Sequence, residues 1–181
     1  MALPIESDRL LLRRFVEGDV DDIVHFLAHP SVARATPEIK ATEVGVQQYI
    51  VRQNAYSPFE REKCFDLAIE HSADSKVIGL LTLITRKHDQ GELGYALSID
   101  YRNRGYATEA ARGLVNYAFS ELKLHRIRAE TTSANPDSYR VMERLGMRRE
   151  CHMREASYHD GAWIDVLVYG ILAQEWLASG E

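Results

Sequence analysis

The sequence predicts a mixed α/β (α+β) domain built around one sheet, and three observations predict it. Its 181 residues suit a single sizeable core. The apolar period switches along the chain, from helical spacing in "EGDVDDIVHFLAHP" to alternation in "KCFDLAIEH" and "HRIRAETTS". Strand, helix, strand and helix then follow one another from 91 to 146, a βαβα run. No repeat, low-complexity tract or linker interrupts the chain, so residues 1–181 read as one domain.

Each element has a local reason. "DRLLLRRF" (8–15) is short, apolar and bounded by polar residues, which suits a first strand. Val20, Ile23, Val24 and Leu27 recur at helical spacing, acidic residues crowd the first turn, and Pro30 stops the helix. A weaker helix spans Thr42 to Asn54, and "YSPFEREK" (56–63) is a loop. Phe65, Leu67 and Ile69 alternate with more polar neighbours. "KVIGLLTLITR" (76–86) is apolar enough for a strand covered on both faces. The turn residues of "HSADSK" join these two stretches as an antiparallel hairpin. In "GELGYALSI" (91–99), Leu93, Tyr95, Leu97 and Ile99 share a face.

The strongest helix follows. Ala107, Ala110, Ala111, Leu114, Val115 and Ala118 form a stripe whose small residues allow close packing on a sheet. Residues 125–133 alternate as a strand. In "NPDSYRVMERLG" (135–146), Asn135 can cap, Pro136 fits the first turn, Asp137 complements the dipole and Gly146 ends the helix. "MRRECHMRE" and "AWIDVLVYGIL" read as closing strands, and "AQEWLASG" as a short helix or tail.

Composition removes several function classes. A net charge of −5 argues against general nucleic-acid binding, which needs a basic excess. Cys64 and Cys151 lie far apart in no metal or redox spacing, as expected of reduced thiols in a cytoplasmic protein. "MALPIESDRL" lacks the basic and apolar regions of a signal peptide. No apolar run approaches the ~20 residues a membrane span requires.

The chemistry-bearing stretch is "DYRNRGYATEA" (100–110), a cationic turn broken by glycine directly before the strongest helix. A helix N-terminus leaves about four N–H groups unpaired and carries roughly half a positive charge. Gly105 permits a tight turn and a close backbone approach, while Arg102 and Arg104 add permanent charge. Together these suit a diphosphate. Neither G-x-x-x-x-G-K-[ST] nor G-x-G-x-x-G is present, so a Walker-type or dinucleotide loop is not expected.

"R-N-R-G-Y-A" resembles the (Gln/Arg)-x-x-G-x-(Gly/Ala) signature of the GCN5-related N-acetyltransferases, or GNAT family. The flanks extend the likeness to its ribosomal-protein N-terminal acetyltransferase (Rim-type) branch. "SDRLLLRRFVEGDVDDIVHFLAHPSVAR" is similar to that branch's opening, "NPDSYRVMERLGMRRE" to its later helix and strand, and "REASYHDGAWIDVLVYGIL" to its tail. The resemblance implies a mostly antiparallel sheet splayed at the central strand, and acetyl-CoA as co-substrate without a metal. It implies that the backbone of Leu97, Ser98 and Ile99 pairs with the pantetheine amides. It implies that the N–H groups across Arg104, Gly105, Tyr106, Ala107 and Thr108 hold the diphosphate. Asn135 and Ser138 match positions that contact the pantetheine arm and thiol.

The implied reaction is direct attack of an amine on a thioester. The spacing His25-x-x-x-His29 could suggest a metal, but no His-Glu-x-x-His pattern exists and His29 falls at the helix end before Pro30, so both read as surface histidines. Near pH 7, freeing an α-amine of pKa near 8 costs about 1 kcal/mol, and freeing a lysine of pKa near 10.4 costs roughly 4–5 kcal/mol. The sequence offers carboxylates and no obvious strong base, which favours α-amines. Glu92, on the central strand, is the first candidate base and Glu155 the second, whereas Asp165 reads as structural. Many relatives place a tyrosine acid seven residues after the helix asparagine. Here that position is Met142, which cannot donate a proton, so Ser138 is the candidate for the departing sulfur, ahead of Tyr139. Tyr158 and Trp163, with the segment 31–56, are expected either to shape the acceptor pocket or to pack in the core.

The acceptor implied is the N-terminal α-amine of a protein, a ribosomal protein on the branch likeness. A polyamine, an aminoacyl nucleotide or an amine-bearing toxin is the alternative, and a non-catalytic acyl-CoA-binding module a third reading. No nucleic-acid or membrane partner is expected, and the chain reads as a monomer or homodimer.

Overall fold

Alternating apolar residues can bury only one face of a strand, so the stretches of period two must share a sheet and find helices to cover it. In the computed structural model, which describes residues 3–178, the strands are β1 (Ile5–Glu6), β2 (Leu10–Arg13), β3 (Cys64–His71), β4 (Lys76–Arg86), β5 (Gln90–Leu97), β6 (Arg126–Thr132), β7 (Arg148–His159) and β8 (Ala162–Leu172). The helices are α1 (Val20–Leu27), α2 (Pro30–Ala35), α3 (Glu43–Ala55), α4 (Tyr106–Ser120), α5 (Pro136–Arg144) and α6 (Ala173–Ala178). The strands form one eight-stranded sheet in the order β1-β2-β3-β4-β5-β6-β8-β7. Every neighbouring pair is antiparallel except β5 and β6, which are parallel.

Alternation sorts the side chains onto two cores. Leu67, Leu81, Leu83, Leu93 and Ile127 pack against α4 and α5. Ala68, Leu80 and Ala96 point the other way, against α1, α2 and α3. The small-residue stripe of α4 does what its composition predicts. Ala110, Ala111, Leu114 and Ala118 are fully buried, and Gly113 lets Ile5 and Leu12 of the first two strands approach.

Three details depart from the sequence reading. The first strand is shorter than 8–15, and β1, too short to show a period, pairs with it. Pro30 does end one helix but also begins α2, because proline fits a first helical turn and His29 caps it by accepting from the Ser31 N–H at 3.3 Å. Ile99 leaves the face shared by Leu93, Tyr95 and Leu97, since β5 ends at Leu97 and residues 99–101 form a 3-10 turn.

One feature of the sheet prepares the site. β5 pairs with β4 from Gln90 to Leu97, but with β6 only from Gln90 to Leu93, opposite Arg126–Ala129. From Gly94 onward the β6 side of β5 is therefore an open edge inside the sheet. The Ser98 N–H is donated to Ile78 O on β4 at 2.7 Å, so by alternation Tyr95 and Leu97 turn their amides and carbonyls to the open edge.

Leu114→Ala, at the centre of the α4 stripe, is expected to cost about 2–5 kcal/mol through lost burial and the cavity left behind. In urea unfolding the midpoint should fall while the slope stays that of the parent.

Candidate active site

The chain reaches the open edge through the turn that the sequence singles out. Asn103 and Gly105 both adopt left-handed backbone, with φ of 61° and 84°, and Gly105 is the residue before α4. Thr42, His29 and Asn135 cap α3, α2 and α5 with their side chains, but α4 begins with no side-chain cap. The first-turn amides at Tyr106, Ala107 and Thr108 have no acceptor within their own helix. Beside them, Thr108 Oγ1 is buried without a hydrogen-bond partner. An orphaned buried hydroxyl among uncapped amides is a receptor for anionic oxygen.

This N-terminus opens onto a cleft of about 210 Å³. Its walls are Tyr95, Ala96 and Leu97 of β5, Ser31 and Val32 of α2, and the facing side of α5. Of the residues expected from sequence, Leu97, Arg102, Gly105, Tyr106, Ala107, Thr108, Asn135 and Ser138 line it. Ser98, Ile99, Arg104, Glu92 and Glu155 do not. Ser98 is committed to β4, and Ile99 lies beyond the strand and is exposed.

The two arginines do different work from each other. Arg102 lies between α2 and β5, its Nε donating to Leu97 O and an Nη to Ser31 Oγ, both at 3.3 Å. Arg104 points out, over the Tyr101 ring at 5.8 Å, while its carbonyl accepts from Arg9 at 3.1 Å. Arg9 in turn donates to the Glu109 carboxylate at 2.7 Å and stacks on the Tyr106 ring at 4.4 Å. The Tyr106 hydroxyl meets His71 Nε2 at 3.0 Å. The loop is thus pinned from its outer side, leaving its inner amides to the cleft. The cations that face the cleft beyond Arg102 are Arg140 and Arg144 of α5. Neither stands out in the sequence, although their i, i+4 spacing puts both on one helix face.

Ser138 also gains a partner not foreseen. Tyr95 Oη donates to Ser138 O at 2.8 Å and lies 3.2 Å from Ser138 Oγ. Burial pushes the Tyr95 phenol up to about 12, so it stays protonated at neutral pH. Asn135 Oδ1 accepts from the Ser138 N–H at 3.3 Å. Met142, where many relatives have an acid, is fully buried.

The two candidate bases lie outside the cleft in different settings. Burial alone would raise the Glu92 carboxyl, but Arg128 at 3.0 Å and Arg86 at 3.1 Å outweigh it and hold the group below its usual range. A carboxylate held by two guanidiniums is a weakened base. Glu155 sits in a bulge of β7 with φ 51°, its N–H donated to Asp165 at 2.9 Å. Asp165 also accepts from His152, so its role is to hold that bulge. Tyr158 and Trp163 are exposed and pack edge to face on each other at 5.1 Å, which rules out the core role. The turn beside them is tied to α2 by an Arg34–Asp160 ion pair. His25 is exposed beside Asp100, and among the described residues no group of three or more His, Cys, Asp or Glu side chains could hold a metal. No described helix is long and apolar enough to cross a membrane.

A central strand with an open edge, next to an uncapped helix N-terminus, makes a cleft suited to an extended ligand that carries negative charge. Residues 9–148 match the model of the acetyltransferase (GNAT) domain, and the chain belongs to that family of N-acetyltransferases. It is 31% identical over 177 residues to the N-acetyltransferase YnaD of Bacillus subtilis, covering 95% of this chain and 98% of that one. The fold is shared with ribosomal-protein-S5-alanine acetyltransferase from Vibrio fischeri, at a TM-score of 0.79 and 22% identity over 97% and 99% of the two chains. Spermidine N(1)-acetyltransferase of Vibrio cholerae is 26% identical over 115 residues, 62% of this chain and 66% of that one.

The orphaned hydroxyl gives a direct test of whether a diphosphate binds at this helix start. Thr108→Val is expected to weaken CoA binding about 10-fold, the scale of one hydrogen bond to a charged group. Calorimetric titration reads it, and an unchanged affinity would remove Thr108 from the site.

Proposed function

We propose that the enzyme transfers acetyl from acetyl-CoA to the α-amine of a protein N-terminus, with a ribosomal protein as the class of acceptor. The observation that carries the donor half is the uncapped start of α4, with Thr108 Oγ1 orphaned beside it, at the open edge of β5. On this reading the amides of Gly105, Tyr106, Ala107 and Thr108 hold the diphosphate. The open edge at Tyr95 and Leu97 offers the pantetheine arm a strand-like partner. Asn135 lies along the same path, and Arg140 and Arg144 add positive charge on the α5 wall.

Bound there, acetyl-CoA supplies a thioester, an acyl group already activated toward amines. The chain's own residues orient it and manage the charge. The Ser138 hydroxyl is placed to donate to the sulfur as the thiolate departs, and Tyr95, kept neutral by burial, fixes its position. The cleft holds no strong base, which supports an acceptor whose proton leaves cheaply. An α-amine meets that condition and a lysine does not. The Rim-type likeness of the chain's two ends points the same way. A net charge of −5 suits a cationic acceptor of any size.

Free-thiol release from acetyl-CoA separates the readings. Peptides bearing a basic ribosomal-protein N-terminus are expected to support turnover, which should vanish when that terminus is blocked. Turnover with spermidine alone would reject the protein acceptor, and tight CoA binding without turnover on any amine would reject the transferase reading of the site. Within the site, Tyr95→Phe should lower kcat several-fold and Ser138→Ala more. Neither should change the Kd for CoA, and a matching loss of CoA binding would make both purely structural.

A further inference from the structure

Removal of the ammonium proton needs an acceptor. Among the described residues the one carboxylate lining the cleft, Asp137, lies 4.0 Å from Arg140 at its exposed rim, and the opposite face of β5 offers another. Cross-strand pairing sets Asp66 beside Thr82, and Thr82 beside Gly94. These three lie on the α1–α3 face, as do Ile84, Glu92 and Arg128 in neighbouring pairs. That face is not fully covered over the central strands. Thr82, Ile84, Glu92, Gly94 and Arg128 are all half-buried, whereas Leu81, Leu83, Leu93 and Ala129 on the other face are fully buried. A half-buried strip that carries Thr82, Glu92 and Arg128 therefore runs across the sheet to the open edge of β5.

Three observations single out Asp66 on this strip. It is only 2% exposed, and among the described residues no cation pairs with it. An unpaired buried carboxylate is rare, because desolvating the charge is costly. Its oxygens accept from Tyr49 Oη at 2.7 Å, Gln53 Nε2 at 2.8 Å and Thr82 Oγ1 at 2.5 Å. Of these donors only Thr82 lies between Asp66 and the open edge. The cleft wall includes Ala96, and Gly94 is the next residue on that face, about 7 Å along the strand. A Cβ at Gly94 would stand 3.4 Å from Thr82 Cβ and 3.7 Å from its hydroxyl, so glycine keeps that hydroxyl open to the strip.

We propose that Thr82 and Asp66 form the proton exit of the acetyl transfer, an inference that rests on the amine attacking at the open edge of β5. The ammonium gives one proton to the Thr82 hydroxyl as that hydroxyl passes its own to Asp66, leaving a neutral amine and a carboxylic acid. The nitrogen lone pair then forms the C–N bond, the C–S bond breaks, and the second nitrogen proton goes to the departing thiolate. Asp66 returns its proton to solvent before the next turnover. Burial raises the Asp66 carboxyl above its ordinary range against the lowering by its Thr82 and Tyr49 hydrogen bonds, which suits a proton acceptor. The groups that face it are Tyr49 and Gln53 of α3, Cys64 of β3, Thr82 of β4 and Glu38 of the loop before α3. Cys64 is an exposed residue whose thiol is nonetheless pushed up to about 12, first by partial burial and then by Asp66, so it does not compete as a base.

The test is the turnover of Thr82→Val, Thr82→Ser and Asp66→Asn at saturating acetyl-CoA, with a peptide α-amine, at two pH values. Near pH 7 the valine and asparagine variants are expected to lose about 10²-fold in kcat, the usual scale of one acid–base group, and serine to restore most of it. Near pH 9, above the α-amine pKa of about 8, the loss should shrink to a few-fold because the amine arrives neutral. The Thr82→Val, Asp66→Asn double variant should lose no more than either single one. An equal loss at both pH values, or a Thr82→Val enzyme with parental kcat near pH 7, would overturn the relay. Thr82→Val keeps the shape of the side chain, so it tests the relay even where Asp66→Asn does not fold. The CoA affinity of the parent and each variant is measured alongside. A parent that binds no CoA would defeat the transferase site itself, whereas a parent that binds and turns over leaves only the relay at stake.

Discussion

The structure depends on one divergence. β5 and β6 share four residue pairs and then part, and the cleft opens at that gap. An open strand edge inside a sheet is costly, because its N–H and C=O groups need partners. Here Arg102 Nε meets one of them, the Leu97 carbonyl, from within the same loop that feeds α4. The remainder face the cleft. A sheet that closed fully would satisfy those groups and leave no cleft there.

The divergence works only if the start of α4 is held beside it. A stripe rich in alanine sets the distance of the helix from the sheet, and the outer clamp sets its rotation. Arg9, with a half-exposed side chain, contributes little to stability through its ion pair with Glu109, since such pairs are worth about 0–1 kcal/mol. Its importance is geometric. One guanidinium meets the Glu109 carboxylate, the Arg104 carbonyl and the Tyr106 ring together, which fixes the left-handed turn at Gly105. Salt should therefore weaken that contact without unfolding the domain.

The sequence made the local turns and helix starts legible and the long-range neighbours not. Glycine before a helix, small residues along its stripe and an asparagine–proline start to the next helix are local signals, so the turn at 102–108 and the Asn135–Ser138 start of α5 could be read directly. Tyr95 could not, because its partner is 43 residues away and a strand tyrosine looks apolar in an alternating run. Glu92 carried a visible carboxylate but invisible neighbours. Arg128 reaches it only through the parallel β5–β6 pairing, which no short-range pattern encodes. The side-chain charge of Arg104 was legible and its direction was not. β1 is two residues long and lies below any periodic signal.

Asp66 is likewise hidden in "KCFDLAIEH". By alternation it takes a more polar, outward position between Phe65 and Leu67. The structure covers it with α3, a helix of weak amphipathic pattern whose buried side includes Tyr49 and Gln53. Those two polar residues would be misplaced on a helix facing only aliphatic side chains. They make sense together with Asp66, since each supplies a donor that the carboxylate needs once water is removed. A chain that wanted only a stable sheet could replace all three with aliphatic residues and avoid the desolvation cost. Keeping a buried carboxylate satisfied by neutral donors alone, one hydroxyl away from the open strand, leaves it able to take up a proton, which a carboxylate paired to arginine, such as Glu92, is not.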